Sequence, residues 1–241
     1  MKLSAKSWLL ASASALAIAS GSAYAADKAP APFPGALWAG PYAGLNLGLA
    51  RHDWAWFETG ILFNGQSSPW VDSQTGFTFG GQLGYNWQRG SYVYGVEADL
   101  NWLGVNKSQI FSFLITDPDV ITFTTSINWL ATFRGRMGLA VDATLVYVTA
   151  GLAVANVRNG WTDTGYWDGI ARSVGGSNTR LGWTAGVGVE HMFARNWTAR
   201  LEARYTDLGR SSVDWTSGGT TYTTSFTNSL WEVRAGFNYK W

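Results

Sequence analysis

Two histidines and no cysteine limit the nucleophilic and acid–base chemistry open to this 241-residue chain. Without cysteine there is no disulfide framework, thiolate metal site or cysteine nucleophile. His52 precedes Asp53, and a loop serine such as Ser67 or Ser68 could complete a serine–histidine–acid arrangement. No spacing ties these residues together, so the expectation for His52 is a solvated or hydrogen-bonded loop side chain. His191 stands beside a short link at Ala194 and is expected to anchor at a membrane interface rather than to act as a base. No catalytic, metal-binding or cofactor-binding residues are therefore assigned, and no cofactor is expected.

The better-patterned set is ionic. Glu97, Asp99, Arg134, Arg136, Glu190, Arg200, Glu202, Arg204, Glu232 and Arg234 each occupy the polar side of a segment in which polar and apolar residues alternate, with Arg180 near a rim. Five acids thus face five arginines across one shared interior, where interleaved pairs can offset each other's desolvation. Glu202, flanked by Arg200 and Arg204 on one strand face, suits a structural pair better than a proton donor. An eight-stranded barrel has an interior just wide enough for side chains to fill. The expected result is an ion-paired plug, while a narrow or gated pore lined by the same residues stays open as the alternative. Glycines on the same side, including Gly44, Gly48, Gly84, Gly95, Gly186, Gly188 and Gly236, are expected to make room for the long arginines. None sits in a Walker or Rossmann pattern.

The elements that must position these charges are strands, because a period of two places successive side chains on opposite faces. Eight segments carry the pattern. Leu45, Leu47 and Leu49 oppose Gly44, Asn46 and Gly48; Phe77, Phe79, Leu83, Tyr85 and Trp87 oppose Thr78, Gly80, Gln82 and Asn86. The third runs from Tyr92 to Trp102. The fourth sets Ile127, Trp129, Ala131, Phe133 and Met137 outward against Asn128, Thr132, Arg134 and Arg136 inward. The fifth lacks a charge to orient it, and its Val146, Val148, Leu152 and Val154 are placed outward. The sixth, seventh and eighth begin near Leu181, Trp197 and Trp231, and each apolar face carries aromatics toward its ends, as at the interfaces of a lipid-facing barrel. Short links fall near 88–90, 140–143 and 194–195, and long ones near 51–74, 105–124, 158–178 and 210–227. Short periplasmic turns alternating with long extracellular loops and an even strand number place both termini in the periplasm.

Composition agrees. Only 14% of residues are charged, against roughly 25% in soluble domains, while mean hydropathy is −0.04 and the chain holds 29 glycines and 15 tryptophans. The N-terminus carries Lys2 and Lys6, an apolar run over 8–19 and the small-x-small site Ala23-Tyr24-Ala25, which reads as a secretory signal peptide over 1–25. Its removal takes the formal charge from +1 to −1, so nucleic acid is not an expected partner. Residues 26–37, with Pro30, Pro32 and Pro34, form a Pro-rich periplasmic leader, and 38–241 form the barrel domain.

The long links are aromatic: Trp54, Trp56, Phe57, Phe63 and Trp70 in the first, Phe111, Phe113 and Phe123 in the second, Trp161, Tyr166 and Trp167 in the third, Trp215 and Tyr222 in the fourth. These are read either as a surface patch for a planar ligand, host receptor or phage, or as strands continuing above the membrane with aromatics packed on one another.

Four stretches carry a family likeness: WAGPYAG at 38–44 with Gly48, NWLATFRGRMG at 128–138, LVYVTAG at 145–151 and LEARYTDLG at 201–209. Together they resemble the small alphaproteobacterial outer-membrane proteins of the Omp25/Omp31 type, over the whole of 38–241. The resemblance implies an all-β, eight-stranded, antiparallel, up-and-down transmembrane β-barrel of the OmpA-transmembrane or opacity-protein kind, abundant in the cell outer membrane. It also implies structural roles for Trp38, Tyr42, Arg134, Arg136, Glu202, Arg204 and Asp207. It fixes no activity, since such proteins are described as porins, as envelope structural proteins and in some lineages as hemin binders. Phe237, Tyr239 and Trp241 look like the alternating aromatic signal read by the barrel-assembly machinery, with Trp in place of the more usual Phe. The expected partners are outer-membrane lipid, lipopolysaccharide, that machinery and an unidentified surface ligand. The expected role is non-enzymatic, in envelope integrity or surface interaction. The alternatives are a small porin-like diffusion channel and hemin binding by the aromatic loops.

Overall fold

A computed structural model describes residues 37–59, 70–112, 120–163, 172–217 and 220–241. Eight strands follow one another: β1 (Gly40–Thr59), β2 (Trp70–Arg89), β3 (Tyr92–Ser112), β4 (Val120–Val141), β5 (Thr144–Asp163), β6 (Arg172–Ala194), β7 (Trp197–Ser217) and β8 (Thr220–Lys240). Each pairs antiparallel with its neighbours in sequence, and β1 pairs with β8 to close the barrel. Closure leaves no edge strand, so the backbone donors and acceptors along the wall are satisfied within it, as a bilayer demands. The expected signal peptide over 1–25 and most of the expected leader over 26–37 lie outside the described residues.

Two-residue turns join the strands at one end: Gly90 with Ser91, Asp142 with Ala143, and Arg195 with Asn196. The first residue of two of them, Gly90 and Asp142, has positive φ, a conformation that glycine adopts freely and aspartate tolerates through local hydrogen bonding. The other end differs from the expected long loops. The strands run on through most of 51–74, 105–124, 158–178 and 210–227, so each is 20 to 23 residues long. A spanning strand needs only about 9–11 residues, and the wall therefore continues well past the hydrocarbon.

In the turn-proximal half the alternation sorts as expected. Leu45, Leu47, Leu83, Phe133, Leu201 and Val233 point outward, and the uncharged fifth segment presents Val146, Val148 and Leu152 outward with Tyr147, Thr149 and Ala153 inside. The fourth segment departs from the expectation. Ile127 is fully buried inside the barrel, whereas Asn128 is exposed. The reason is a β-bulge: β4 advances three residues from Ile127 to Leu130 while β5 advances two, from Val157 to Ala155. One extra residue reverses the facing of everything beyond it. Similar shifts interrupt β3 at 102–105 and β7 at 207–210.

Candidate functional site

The inward side chains form three layers along the barrel axis. Nearest the turns, Trp38 folds into the mouth and packs with Val93, Leu145, Tyr147 and Met192. Its backbone N–H donates to Gln88 Oε1 at 2.8 Å, which fixes the chain just before β1.

Above it lies the ionic layer, and register explains its arrangement. Glu97 directly opposes Arg134 across β3 and β4, Glu190 opposes Arg200 across β6 and β7, and Glu202 and Arg204 oppose Arg234 and Glu232 across β7 and β8. Every acid therefore begins beside a cation except Asp99, which three arginines reach across the lumen, Arg234 Nη1 at 3.3 Å being the most distant. Arg204 Nη1 approaches it at 2.9 Å and Arg134 Nη2 at 3.0 Å. Arg134 is the hub, donating to Glu97 and, at 2.7 Å, to Glu202 Oε1. Arg234 Nη2 shares that Glu202 oxygen at 2.5 Å, Arg200 Nη1 reaches Glu97 Oε2 at 2.5 Å, and Arg204 Nε reaches Glu232 Oε2 at 2.8 Å. Arg136 pairs with Glu190. All ten charges are buried and belong to one connected network.

Two tyrosines complete it. Tyr42 donates to Glu97 Oε2 at 2.7 Å and Tyr147 to Glu202 Oε2 at 3.0 Å, while the Arg136 guanidinium lies 3.9 Å from the centre of the Tyr147 ring. That last contact is a cation–π pair in a desolvated setting. Two of the inward glycines make room for these rings: a Cβ on Gly84 or Gly188 would stand 2.5 Å from the Cζ of Tyr42 or Tyr147. Gly236 lies against an arginine side chain, with Arg200 Cγ 3.2 Å from where its Cβ would be, and Gly48 and Gly186 lie against the backbone of Arg234 and Arg204. Polar side chains finish the layer. Asn238 and Thr198 donate to Glu190, Gln82 to Asn238, and Asn46 to Gln82.

The third layer, toward the far end, is apolar. Leu103, Val105, Ile127, Leu130, Ala155, Val157, Leu208 and Leu230 pack together inside the wall. His52 belongs to this region. It is a fully buried strand residue with Nε2 3.0 Å from Asn228 Oδ1, not a solvated loop side chain. Trp54 is likewise a buried strand residue rather than part of a loop patch. The side chains of Trp56, Phe57, Phe63, Trp70, Phe111, Phe113, Phe123, Trp161, Tyr166, Trp167, Trp215 and Tyr222 lie outside the described residues, as do Ser67 and Ser68. His191 is exposed on the outer face with Nδ1 3.0 Å from Thr144 Oγ1. Sequence reasoning missed the Trp38 stopper and the apolar third layer. The signal for Trp38 was an aromatic residue just outside the first alternating run, and that for the third layer was a reversal of which face is apolar.

On the outer wall, exposed apolar residues form a continuous belt bounded by aromatics. Trp183, Tyr205 and Trp231 adjoin one another at its upper margin, with ring centres 4.9–5.5 Å apart. Trp197, Tyr239 and Trp241 do so at the turn end. Phe237 and Trp241 of the C-terminal aromatic triplet are exposed there and Tyr239 is half-buried.

A closed eight-stranded barrel with a lipid-facing belt, aromatic girdles and a polar, filled interior is an outer-membrane β-barrel protein. The chain belongs to the outer-membrane β-barrel family, and within it to the Omp25/Omp31 type: residues 12–240 match the family model described as outer membrane protein beta-barrel domain, and whole-length relatives carry those names. The 31 kDa outer-membrane immunogenic protein of Brucella melitensis biotype 1 is 34% identical over 98% of this chain and 99% of its own length. The 25 kDa outer-membrane immunogenic protein of Brucella abortus biovar 1 is 30% identical over 98% of both. A 22 kDa outer membrane protein of Rhizobium leguminosarum is 38% identical over 59% of this chain and 58% of that one. Among solved structures, the outer membrane protein OprG of Pseudomonas aeruginosa shares the fold, with a TM-score of 0.50 at 17% identity over 84% of this chain and 96% of that one.

Proposed function

We propose that this protein is a non-conducting, non-enzymatic barrel that serves envelope integrity and presents an extended wall at the cell surface. The observation that carries this reading is the closure of the lumen at three successive levels among the described residues. A water-filled channel keeps solvent against its lining, yet Trp38 is 1% exposed, Arg134 and Arg204 0%, and Leu130 and Leu230 0%. Two apolar layers bracket the ion pairs, and an ion crossing either would lose its hydration without gaining a partner.

The non-enzymatic part is supported by the engagement of the candidate groups. His52 is held by Asn228 inside the wall, His191 by Thr144 on the outer face, and each inward carboxylate contacts an arginine. In this role the partners are outer-membrane phospholipid and lipopolysaccharide along the belt, and the assembly machinery at Phe237, Tyr239 and Trp241. Cleavage after Ala25 and a leader over 26–37 belong to the same reading. The test is single-channel recording on the refolded barrel in a planar bilayer. No steady conductance is expected. A steady conductance that changes when Arg134 or Arg136 is neutralised to Gln would overturn the plug.

A further inference from the structure

The outer belt is not uniform. A trough of about 950 Å3 crosses it obliquely, floored by Gly135, Ala150 and Ala185, which oppose one another directly on β4, β5 and β6. Its lower end is closed by the stacked rings of Trp87 and Tyr94, and its upper end by Tyr205 and Trp231. Elsewhere on the belt Leu83, Leu152 and Leu201 project and are exposed, and a second, smaller trough of about 720 Å3 lies between Leu47, Phe79 and Phe237.

The floor is not imposed by packing within the wall. Most strand glycines of this barrel abut a neighbour so closely that a Cβ would fall under 3 Å from it, but a Cβ on Gly135 would meet nothing nearer than the Ala150 carbonyl at 3.8 Å. Room for a side chain exists there, and the chain leaves it empty on the side facing lipid. Lipid tails are as apolar as leucine, so no hydrophobic gain distinguishes one part of the belt from another. What distinguishes them is van der Waals fit, which small residues improve by allowing close approach.

The dimensions and the charge indicate the occupant. From Val96 on β3 to Tyr205 on β7 the trough follows four strand spacings around the wall, an arc of about 19 Å at ~4.8 Å each. One leaflet of the hydrocarbon is about 15 Å deep, half of the ~30 Å core, so a slanted trough of that length suits one extended acyl chain. Arg89 lies two residues below Trp87 on the same outward face and is exposed. It sits at the periplasmic end of the trough, at headgroup depth, where a guanidinium can bind a phosphate through two parallel hydrogen bonds.

We infer that the trough holds a glycerophospholipid of the periplasmic leaflet, with one acyl chain along Gly135, Ala150 and Ala185 and its phosphate at Arg89. The surrounding belt already faces lipid, so the site is a place where one lipid stays longer than its neighbours. Its selectivity is set by shape and one charge, and corresponds to roughly a tenfold preference over bulk lipid, about 1.4 kcal/mol.

The full-length protein, extracted from outer membranes in mild detergent and passed through excess detergent, is weighed intact by native mass spectrometry and its retained lipid identified. One glycerophospholipid per barrel is expected. The double variant Ala150→Leu with Ala185→Leu fills the floor and should lower retention about tenfold, and Arg89→Ala should lower it severalfold. Ala131→Leu, which adds the same bulk higher on β4, should leave it unchanged. Heat-dependent gel mobility confirms that each variant is folded. Equal retention by the wild type and the filled variant, loss of retention in Ala131→Leu as well, or lipid A as the retained molecule would each overturn the assignment.

Discussion

The two halves of this barrel obey opposite rules. Near the turns the outer face is apolar, with Leu45, Leu47, Val148 and Val233, and the inner face is charged, with Arg134, Glu202 and Arg234. Beyond the upper girdle the same strands carry Arg51, Asn128, Arg158 and Ser177 outside and Ala50, Val105, Ile127, Val157 and Leu230 inside. A single strand shows the change: β8 places Trp231 outward and Glu232 inward, and then Ser229 at the outer face and Leu230 inside. What differs is the solvent. In hydrocarbon the wall must present methyl groups outward and hide its polar atoms within. In water it must do the reverse, as any soluble barrel does. The level at which the faces exchange polarity marks where the membrane ends. On β8 and β1 residue choice alone makes the exchange, whereas on β4 an inserted residue re-aims the side chains beyond it.

The comparison predicts which half is harder to damage. Arg134 touches Glu97, Asp99 and Glu202 with no solvent to replace it. Arg134→Ala should therefore leave the buried network one cation short, with Glu97, Asp99 and Glu202 each keeping a second arginine, and cost about 3–5 kcal/mol, the range for breaking one partner out of a buried pair. Urea unfolding of the barrel refolded into lipid vesicles measures it, and a loss below ~1 kcal/mol, typical of exposed pairs, would mean that the middle layer is hydrated. In the upper half the corresponding loss comes from packing. Leu130→Ala, at a fully buried position in the apolar layer, should cost roughly 2–5 kcal/mol as transfer and cavity effects combine. An unchanged midpoint would mean that the upper layer collapses around the gap and seals little.

This division also explains what could be read from the sequence. The eight strands, their turns and the inward position of the ten charges follow from alternation, because lipid outside and ions inside make the two faces as different as side chains allow. Alternation weakens where the polarity exchanges. Around Ile127 and Asn128 the apolar residue stays apolar but changes sides, and no local feature announces the extra residue that turns it. His52 reads as a loop residue for the same reason: it follows an outward arginine, which in a lipid-facing strand signals the end of the wall, whereas here the wall continues into water. The register that sets Glu97 against Arg134 and Arg204 against Glu232 was likewise hidden, since it depends on pairing rather than on either strand alone.

The remaining variants test the boundary itself, because a charge should be costly on one side of it and free on the other. Leu47 lies mid-belt on β1, and Leu47→Arg places a guanidinium against hydrocarbon, for which roughly 2–4 kcal/mol is expected at the bilayer midplane. Arg158, exposed on β5 above the girdle, can lose its charge without consequence, and Arg158→Leu should shift stability by no more than ~0.5 kcal/mol. The Arg51–Asp53 pair, 2.9 Å apart and open to solvent on β1, should behave like Arg158, with Asp53→Ala costing about 0.2–1 kcal/mol and less in high salt. Measured together by vesicle refolding, the three variants trace the depth of the membrane along the wall. If Arg158→Leu proved as damaging as Leu47→Arg, the upper wall would itself lie against lipid or a partner, and the exchange of polarity would then have a cause other than water.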